Sequence, residues 1–247
     1  MVMYFKKNIY RLLIIIVLSA AAAVGLSTGA RIIADKKNGG TPEERLKYAI
    51  RLYETAETLN INLEGVPFFG KKTAAAHLII FFDYTCSHCK KEFELVQKLE
   101  KKYPDEISVS YKFFPIDGTC KSFERGRDDP SAGACIAAKA AYSSYSQNRF
   151  MEFSGLLFDW YHTKSNQFTV KTVSELAKNF KLNFKSFNTI FLSEKTESFI
   201  SREYNEAEKL GIESTPTVFL NGRLIPAGSR KADILEGLVK YCIKRGK

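Results

Sequence analysis

A chain of 247 residues that is 45% hydrophobic and 13% aromatic can bury one full-sized core and is too short for two. Its formal charge is +10, yet in residues 1–40 Lys6, Lys7, Arg11, Arg31, Lys36 and Lys37 stand against Asp35 alone, so half of the excess belongs to the terminus. What remains is an ordinary basic surface with no basic stripe interleaved with aromatics, which excludes nucleic acid as a partner.

Lys6, Lys7 and Arg11 precede the apolar run Leu12–Leu18 and the alanines beyond it. A basic flank followed by an apolar run is the pattern of a targeting segment. From Leu12 to Ala30 the run is roughly 19 residues, which at 1.5 Å per residue nearly spans a hydrocarbon core. Two readings of residues 1–30 stay open: a signal peptide cleaved after Ser27 or Ala30, and an uncleaved single-pass anchor. In both, the basic flank stays inside and the rest is exported. A polar linker, Arg31–Gly40, leads to Thr41-Pro42-Glu43-Glu44, where Thr is the expected N-cap, Pro the first helical residue and Glu the capping-box residue. Leu46, Ala49, Ile50 and Tyr53 give that helix its apolar face.

The continuous apolar stretch from His77 to Tyr84 reads as a fully buried strand. It runs into Cys86-Ser87-His88-Cys89, after which Phe93, Val96, Leu99 and Tyr103 recur at helical spacing. Ile107–Phe113 alternates as a strand. A polar stretch from Asp117 to Pro130 carries Cys120, and Asp129-Pro130 is expected to open an Ala-rich helix holding Cys135. Four more helices are expected on Phe150, Phe153, Leu157 and Trp160; on Val173, Leu176, Ala177 and Phe180, capped by Thr172 and Glu175; on Phe184, Phe187, Ile190 and Phe191; and on Ile200, Tyr204 and Ala207, ending at Gly211. Thr217–Leu220 and Arg223–Pro226 flank Asn221-Gly222, the pair that supplies both positive φ angles of a type I′ hairpin. Ser229 is expected to cap a last helix bearing Leu235, Leu238, Val239 and Cys242. That spacing puts Cys242 on the core face, with an exposed thiol as the alternative.

Strand, tight turn, C-x-x-C, helix is the arrangement needed when two thiols exchange a disulfide with a partner. A thiol at a helix N-terminus faces unpaired backbone N–H groups and the positive end of the macrodipole, so its thiolate is stabilised. Cys86 is therefore the expected nucleophile. Cys89, one turn inside, is the resolving thiol that attacks the mixed disulfide on Cys86. His88 could lend a hydrogen bond or positive charge to the Cys86 thiolate. A zinc site would need two close cysteine pairs; Cys120 and Cys135 have fourteen residues between them and no histidine at ligand spacing, so no metal and no cofactor are expected.

The stretch F-F-D-Y-T-C-S-H-C-K-K at Phe81–Lys91, with Ser214-Thr215-Pro216-Thr217 far downstream, resembles the DsbA-like thiol–disulfide oxidoreductases of the thioredoxin superfamily over roughly residues 64–245. The resemblance implies an α/β thioredoxin fold with a helical insertion at about 118–211. The domain would be 64–247, opened by an edge strand at Val66–Gly70 and preceded by a linker and helix over 31–63 and by the targeting or anchor helix. It also implies that Thr215-Pro216 is the cis-proline element opposite the active-site cysteines, with Pro216 part of the catalytic surface and Thr215 and Ser87 in contact with substrate. The Thr215 backbone would pair with an extended substrate segment.

Two departures stand out. Ser87 occupies a position where the family commonly has proline. Ile80, six residues before Cys86, replaces the family's usual buried acid, which leaves water, or Asp83 near the turn, for proton transfer to Cys89. Paired cysteines near Cys120 and Cys135 occur in DsbA-like domains that work with quinone-linked membrane partners, so a second disulfide there is either a structural staple or a redox relay.

The expected function is an exported oxidoreductase, monomeric, in the periplasm or on the extracytoplasmic face, with or without an anchor at residues 12–30. It would pass the Cys86–Cys89 disulfide to unfolded or reduced exported proteins and be reoxidised by a membrane redox partner. A reductase or isomerase would use the same residues. A periplasmic chaperone, or a copper-handling module holding Cu(I) on the soft cysteine pair with His88, is the alternative from another class.

Overall fold

The computed structural model describes residues 40–116, 120, 133–165 and 167–246. The targeting segment and the helix start expected at Asp129-Pro130 lie outside these residues. The chain divides into two compact units, residues 1–51 and 52–247. Helix α1 (Pro42–Thr55) begins in the first with the expected reciprocal cap: Glu44 N donates to Thr41 Oγ1 at 3.2 Å, and Thr41 N donates to Glu44 Oε2 at 2.7 Å. No helix among the described residues is long and apolar enough to cross a membrane.

The second unit is built on five strands: β1 (Phe68–Gly70), β2 (Ala76–Phe82), β3 (Ile107–Phe113), β4 (Thr217–Leu220) and β5 (Arg223–Ile225). Their order is β1-β3-β2-β4-β5. β2 pairs parallel with β3 and antiparallel with β4, and the two outer pairings are antiparallel. β2 lies at the centre and is covered on both sides, which is why its sequence is apolar without alternation. The β4–β5 turn is Asn221-Gly222, with φ 49° and 77°, the two left-handed residues the hairpin requires.

Between β2 and β3 runs α2 (Ser87–Lys102), which presses Phe93, Val96 and Leu99 onto the sheet. There Phe93 meets Tyr111 and Phe158 at ring distances of 5.6 and 5.3 Å. Tyr84 packs on Phe158 at 4.8 Å and shares a 2.7 Å hydrogen bond with Ser154. Burial of each of these rings stabilises the fold by about 2–3 kcal/mol. On the other face Ile79, Phe81 and Phe219 pack with Ile61, Phe114, Tyr204, Ala207 and Ile212.

From β3 to β4 the chain forms α3 (Gly133–Tyr145), α4 (Phe150–Trp160), a π-helical turn (Tyr161–Ser165), α5 (Val170–Asn179), α6 (Phe184–Phe191) and α7 (Glu194–Lys209). Cys120 and Cys135 are joined in a disulfide with their Cα atoms 5.5 Å apart. Lys112 of β3 is fully buried: its Nζ donates to Asn62 O at 2.6 Å and Glu206 Oε2 at 2.7 Å and lies 3.0 Å from Glu203 Oε2. A buried cation so placed ties α7 to the sheet, and cutting away one partner would cost about 3–5 kcal/mol.

Two expected caps differ. The N-cap of α5 is Thr169, whose side chain accepts from Thr172 N; Thr172 is already inside the helix, and Thr169 has the extended backbone a cap requires. Ser229 does not cap the last helix either. It closes a 3-10 turn (Ala227–Ser229), and α8 (Ala232–Arg245) starts after Lys231.

Candidate active site

The residues after β2 form a turn held by one carboxylate. Asp83 Oδ1 accepts from Thr85 N at 2.6 Å and Thr85 Oγ1 at 2.8 Å, and Oδ2 accepts from Ile116 N at 2.7 Å. Asp83 is buried, so these charge-assisted bonds fix the exit of β2 against the segment that follows β3. Its carboxylate thus organises the turn, while its backbone N–H donates to Cys89 Sγ at 3.4 Å. Ile80 is buried in the middle of β2 and brings no acid to the site.

Cys86 is the N-cap of α2, with extended backbone (φ −88°, ψ 118°) and no side-chain capping bond. Its carbonyl accepts from Cys89 N and Lys90 N, so the helix starts on the residue whose sulfur faces the unpaired N–H groups. Both active-site thiols are free, Cys86 half-buried and Cys89 only 1% exposed. The Cys86 thiol is pulled down from 9.0 to about 5. The hydrogen bond from the Cys89 thiol is the largest cause, opposed by burial and helped by Thr215 and by the N–H groups of Cys89 and His88. Cys89 is pushed well up, first by burial and then by its bond to Cys86. The two sulfurs are driven in opposite directions, one a ready thiolate at neutral pH and the other a retained thiol.

Thr215 and Pro216 come from the loop before β4 and close the other side. Their peptide bond is cis, and the Cys86 thiol donates to Thr215 O at 3.4 Å. Thus Cys86, Cys89, Thr215 and Pro216, which are expected to act together, do converge. Ser87 and His88 sit exposed on the first turn of α2, and the His88 ring borders a groove of about 480 Å³ next to Pro216. Cys120–Cys135 is formed as described. Cys242 is buried and its thiol donates to Tyr53 Oη at 3.3 Å, which places it in the core. His77 shares a 2.9 Å hydrogen bond with Ser110 Oγ.

Two residues of the site escape sequence reasoning. Glu92, one turn after Cys89, is 7% exposed, and burial pushes its carboxyl up to about 7, with Arg230 pulling it back. Arg230, just before α8, donates from Nη1 to the Pro216 carbonyl and so holds the cis-proline segment.

A family model described as thioredoxin matches residues 62–240. Disulfide bond formation protein D of Bacillus subtilis (strain 168) is 23% identical over 184 residues, 72% of this chain and 78% of the relative. The crystal structure of oxidised BdbD from Bacillus subtilis superposes with a TM-score of 0.61 at 20% identity, covering 76% of this chain and 98% of that one. The thiol-disulfide exchange protein α-DsbA2 from Wolbachia pipientis does so with a TM-score of 0.58 at 17% identity, covering 81% and 95%.

Proposed function

The chain belongs to the thioredoxin family, and from that premise we propose that it oxidises exported proteins through Cys86 and Cys89. It is a thiol–disulfide oxidoreductase of the DsbA-like kind. The observation that carries the oxidising direction is the pair of opposed thiols at the start of α2. A leaving sulfur held near pH 5 stabilises the reduced protein and makes the disulfide a better oxidant.

In the oxidised protein a substrate thiolate attacks Cys86 Sγ, the Cys86–Cys89 bond breaks, and Cys89 departs and takes up a proton. The buried Cys89 is a poor thiolate at neutral pH, which slows back-attack on the mixed disulfide. A second substrate thiolate then attacks the substrate sulfur of the mixed disulfide. The substrate disulfide forms and Cys86 leaves as the stabilised thiolate. Two electrons have passed from substrate to protein, and a membrane redox partner removes them to restore the disulfide. Thr215, whose carbonyl lies against Cys86, offers its backbone to an extended substrate segment beside the reacting sulfur.

In this reading the protein works on the extracytoplasmic side, with residues 1–30 as its signal peptide or anchor. Refolding of reduced ribonuclease with the oxidised protein tests the reading, with Cys86→Ser as control. Disulfides should form in stoichiometric amounts with the wild type and not with the variant. The reduction potential of the 86–89 pair tests the direction: a value more reducing than the compartment makes the protein a reductase, and refolding-chaperone activity that survives Cys86→Ser makes it a binding protein.

A further inference from the structure

The groove beside Pro216 carries more charge than the disulfide chemistry uses. On α2 it is bordered by His88, Lys91 and Glu92, and on the segment leading into α8 by Arg230 and Lys231. At about 480 Å³ it has room for a substrate side chain. Three buried polar atoms there make no hydrogen bond: Glu92 Oε1, Arg230 Nε and Thr215 Oγ1. Buried groups of this kind ordinarily find partners, so an unpaired guanidinium donor lining a groove beside the reactive thiol marks a place where a ligand acceptor completes the bonding. Nη1 of Arg230 is taken by the Pro216 carbonyl, so Nε is a donor left for something that arrives.

We propose that Arg230 and Glu92 form a specificity pair which reads a carboxylate side chain carried by the substrate next to its reacting cysteine, Arg230 binding the carboxylate and Glu92 limiting how strongly. The inference rests on the oxidoreductase reading and names the substrate class for it. Three cationic side chains, Lys91, Arg230 and Lys231, face the groove against the single acid Glu92. A planar guanidinium is the group that best matches a carboxylate. A substrate strand running along Thr215 carries the residues flanking its cysteine past this point. Burial holds part of the Glu92 population neutral at pH 7, so the field seen by an incoming carboxylate is more positive than the formal count. A lysine in the same place would meet the cationic rim and leave Arg230 Nε unpaired.

The test uses single-cysteine peptides that differ only in the flanking residue, Glu, Gln or Lys, reacted with the oxidised full chain at pH 8. Each rate of mixed-disulfide formation is divided by the same peptide's rate with a small-molecule disulfide, which removes differences in intrinsic thiol reactivity. With the wild type, Glu peptides should outpace Gln peptides by about 5–10-fold, the worth of a charge-assisted pair in a partly solvated groove, and Lys peptides should be slowest. Arg230→Gln should bring the Glu/Gln ratio to within about twofold of one, and Glu92→Gln should raise it by about threefold, since one competing charge is gone. A purely structural role for either residue would slow all peptides alike and leave the ratio where it was. A wild-type ratio near one, or a ratio that Arg230→Gln leaves intact, overturns the specificity pair while the oxidoreductase reading stands. If no peptide reacts, charged or neutral, the oxidoreductase reading falls and the pair falls with it.

Discussion

Cys89→Ala isolates the cause of Cys86 acidity. The Cys86 thiol lies at about 5 against an ordinary 9.0, a difference of about four pH units or about 5 kcal/mol between thiol and thiolate. Water screens a half-buried sulfur, so about 2–3 kcal/mol is the fairer magnitude. The largest single cause is the hydrogen bond from Cys89, and a hydrogen bond to a charged acceptor contributes about 1.5–3 kcal/mol. Replacing Cys89 by Ala removes that donor and leaves the helix N-terminus in place. The Cys86 midpoint should therefore rise by about 1–2 pH units and still remain below an unperturbed thiol. The assay is the pH dependence of alkylation of the reduced protein, read beside the ultraviolet absorbance of the thiolate. A variant midpoint that coincides with the wild type's would refute the assignment to Cys89, and a wild-type midpoint at an ordinary thiol value would refute the stabilised thiolate. The sign for stability follows from the depressed value. Ionisation stabilises the folded reduced protein fully above the unfolded thiol's value near 9, and that gain is lost as the pH falls through about 5. Acidification across this window should destabilise the reduced protein relative to the oxidised one.

Glu92 has the opposite sign. Its folded value is raised from 4.5 to about 7, so folding grows less favourable as the pH climbs through that interval. Glu92→Gln should then gain up to about 3 kcal/mol over the wild type at pH 8 and nothing below pH 4.5, measured by urea unfolding at both. Cys120→Ser with Cys135→Ser opens a disulfide of sequence separation 15 and should cost about 3 kcal/mol. As a staple, the wild-type bond should persist at reductant levels that already open Cys86–Cys89, whereas co-titration of the two pairs would make it a relay. Asp83→Asn sets an amide against N–H groups that now meet a carboxylate and should lower stability by about 2 kcal/mol. The pH profile of exchange should keep its shape if Asp83 serves the turn alone, and a profile stripped of one limb would assign it to proton transfer.

The legible parts of this chain are those in which chemistry and periodicity are local. β2, the turn and α2 are contiguous, so an apolar run followed by C-x-x-C and a helical stripe could be read without knowing what packs on them. The Asn221-Gly222 hairpin is legible for the same reason. Caps were harder where two hydroxyl residues compete. Thr169 and Thr172 both fit the start of α5, and the choice depends on which one leaves the helix in an extended conformation, as Thr169 does. Ser229 failed as a cap because the residues after Pro226 close a 3-10 turn first, and the helix starts only when that turn has ended.

Glu92 shows why part of the site was hidden. Among Lys90, Lys91 and Glu94 it reads as one more charge on the wet side of an amphipathic helix, and only its burial reveals otherwise. The groove it borders is shared with Pro216 and Arg230, far down the chain and brought near when β4 pairs antiparallel with β2. The same pairing sets Thr215 against Cys86. One strand register therefore does two things: it completes the surface on which the sulfur reacts, and it brings a guanidinium to the groove that a buried carboxyl borders beside that surface. The thiols announce themselves through a motif that chemistry requires in sequence, whereas residues that choose among substrates need only be neighbours in space. Specificity in a fold of this kind can change through Glu92 or Arg230 without any change to the four residues that make the protein recognisable.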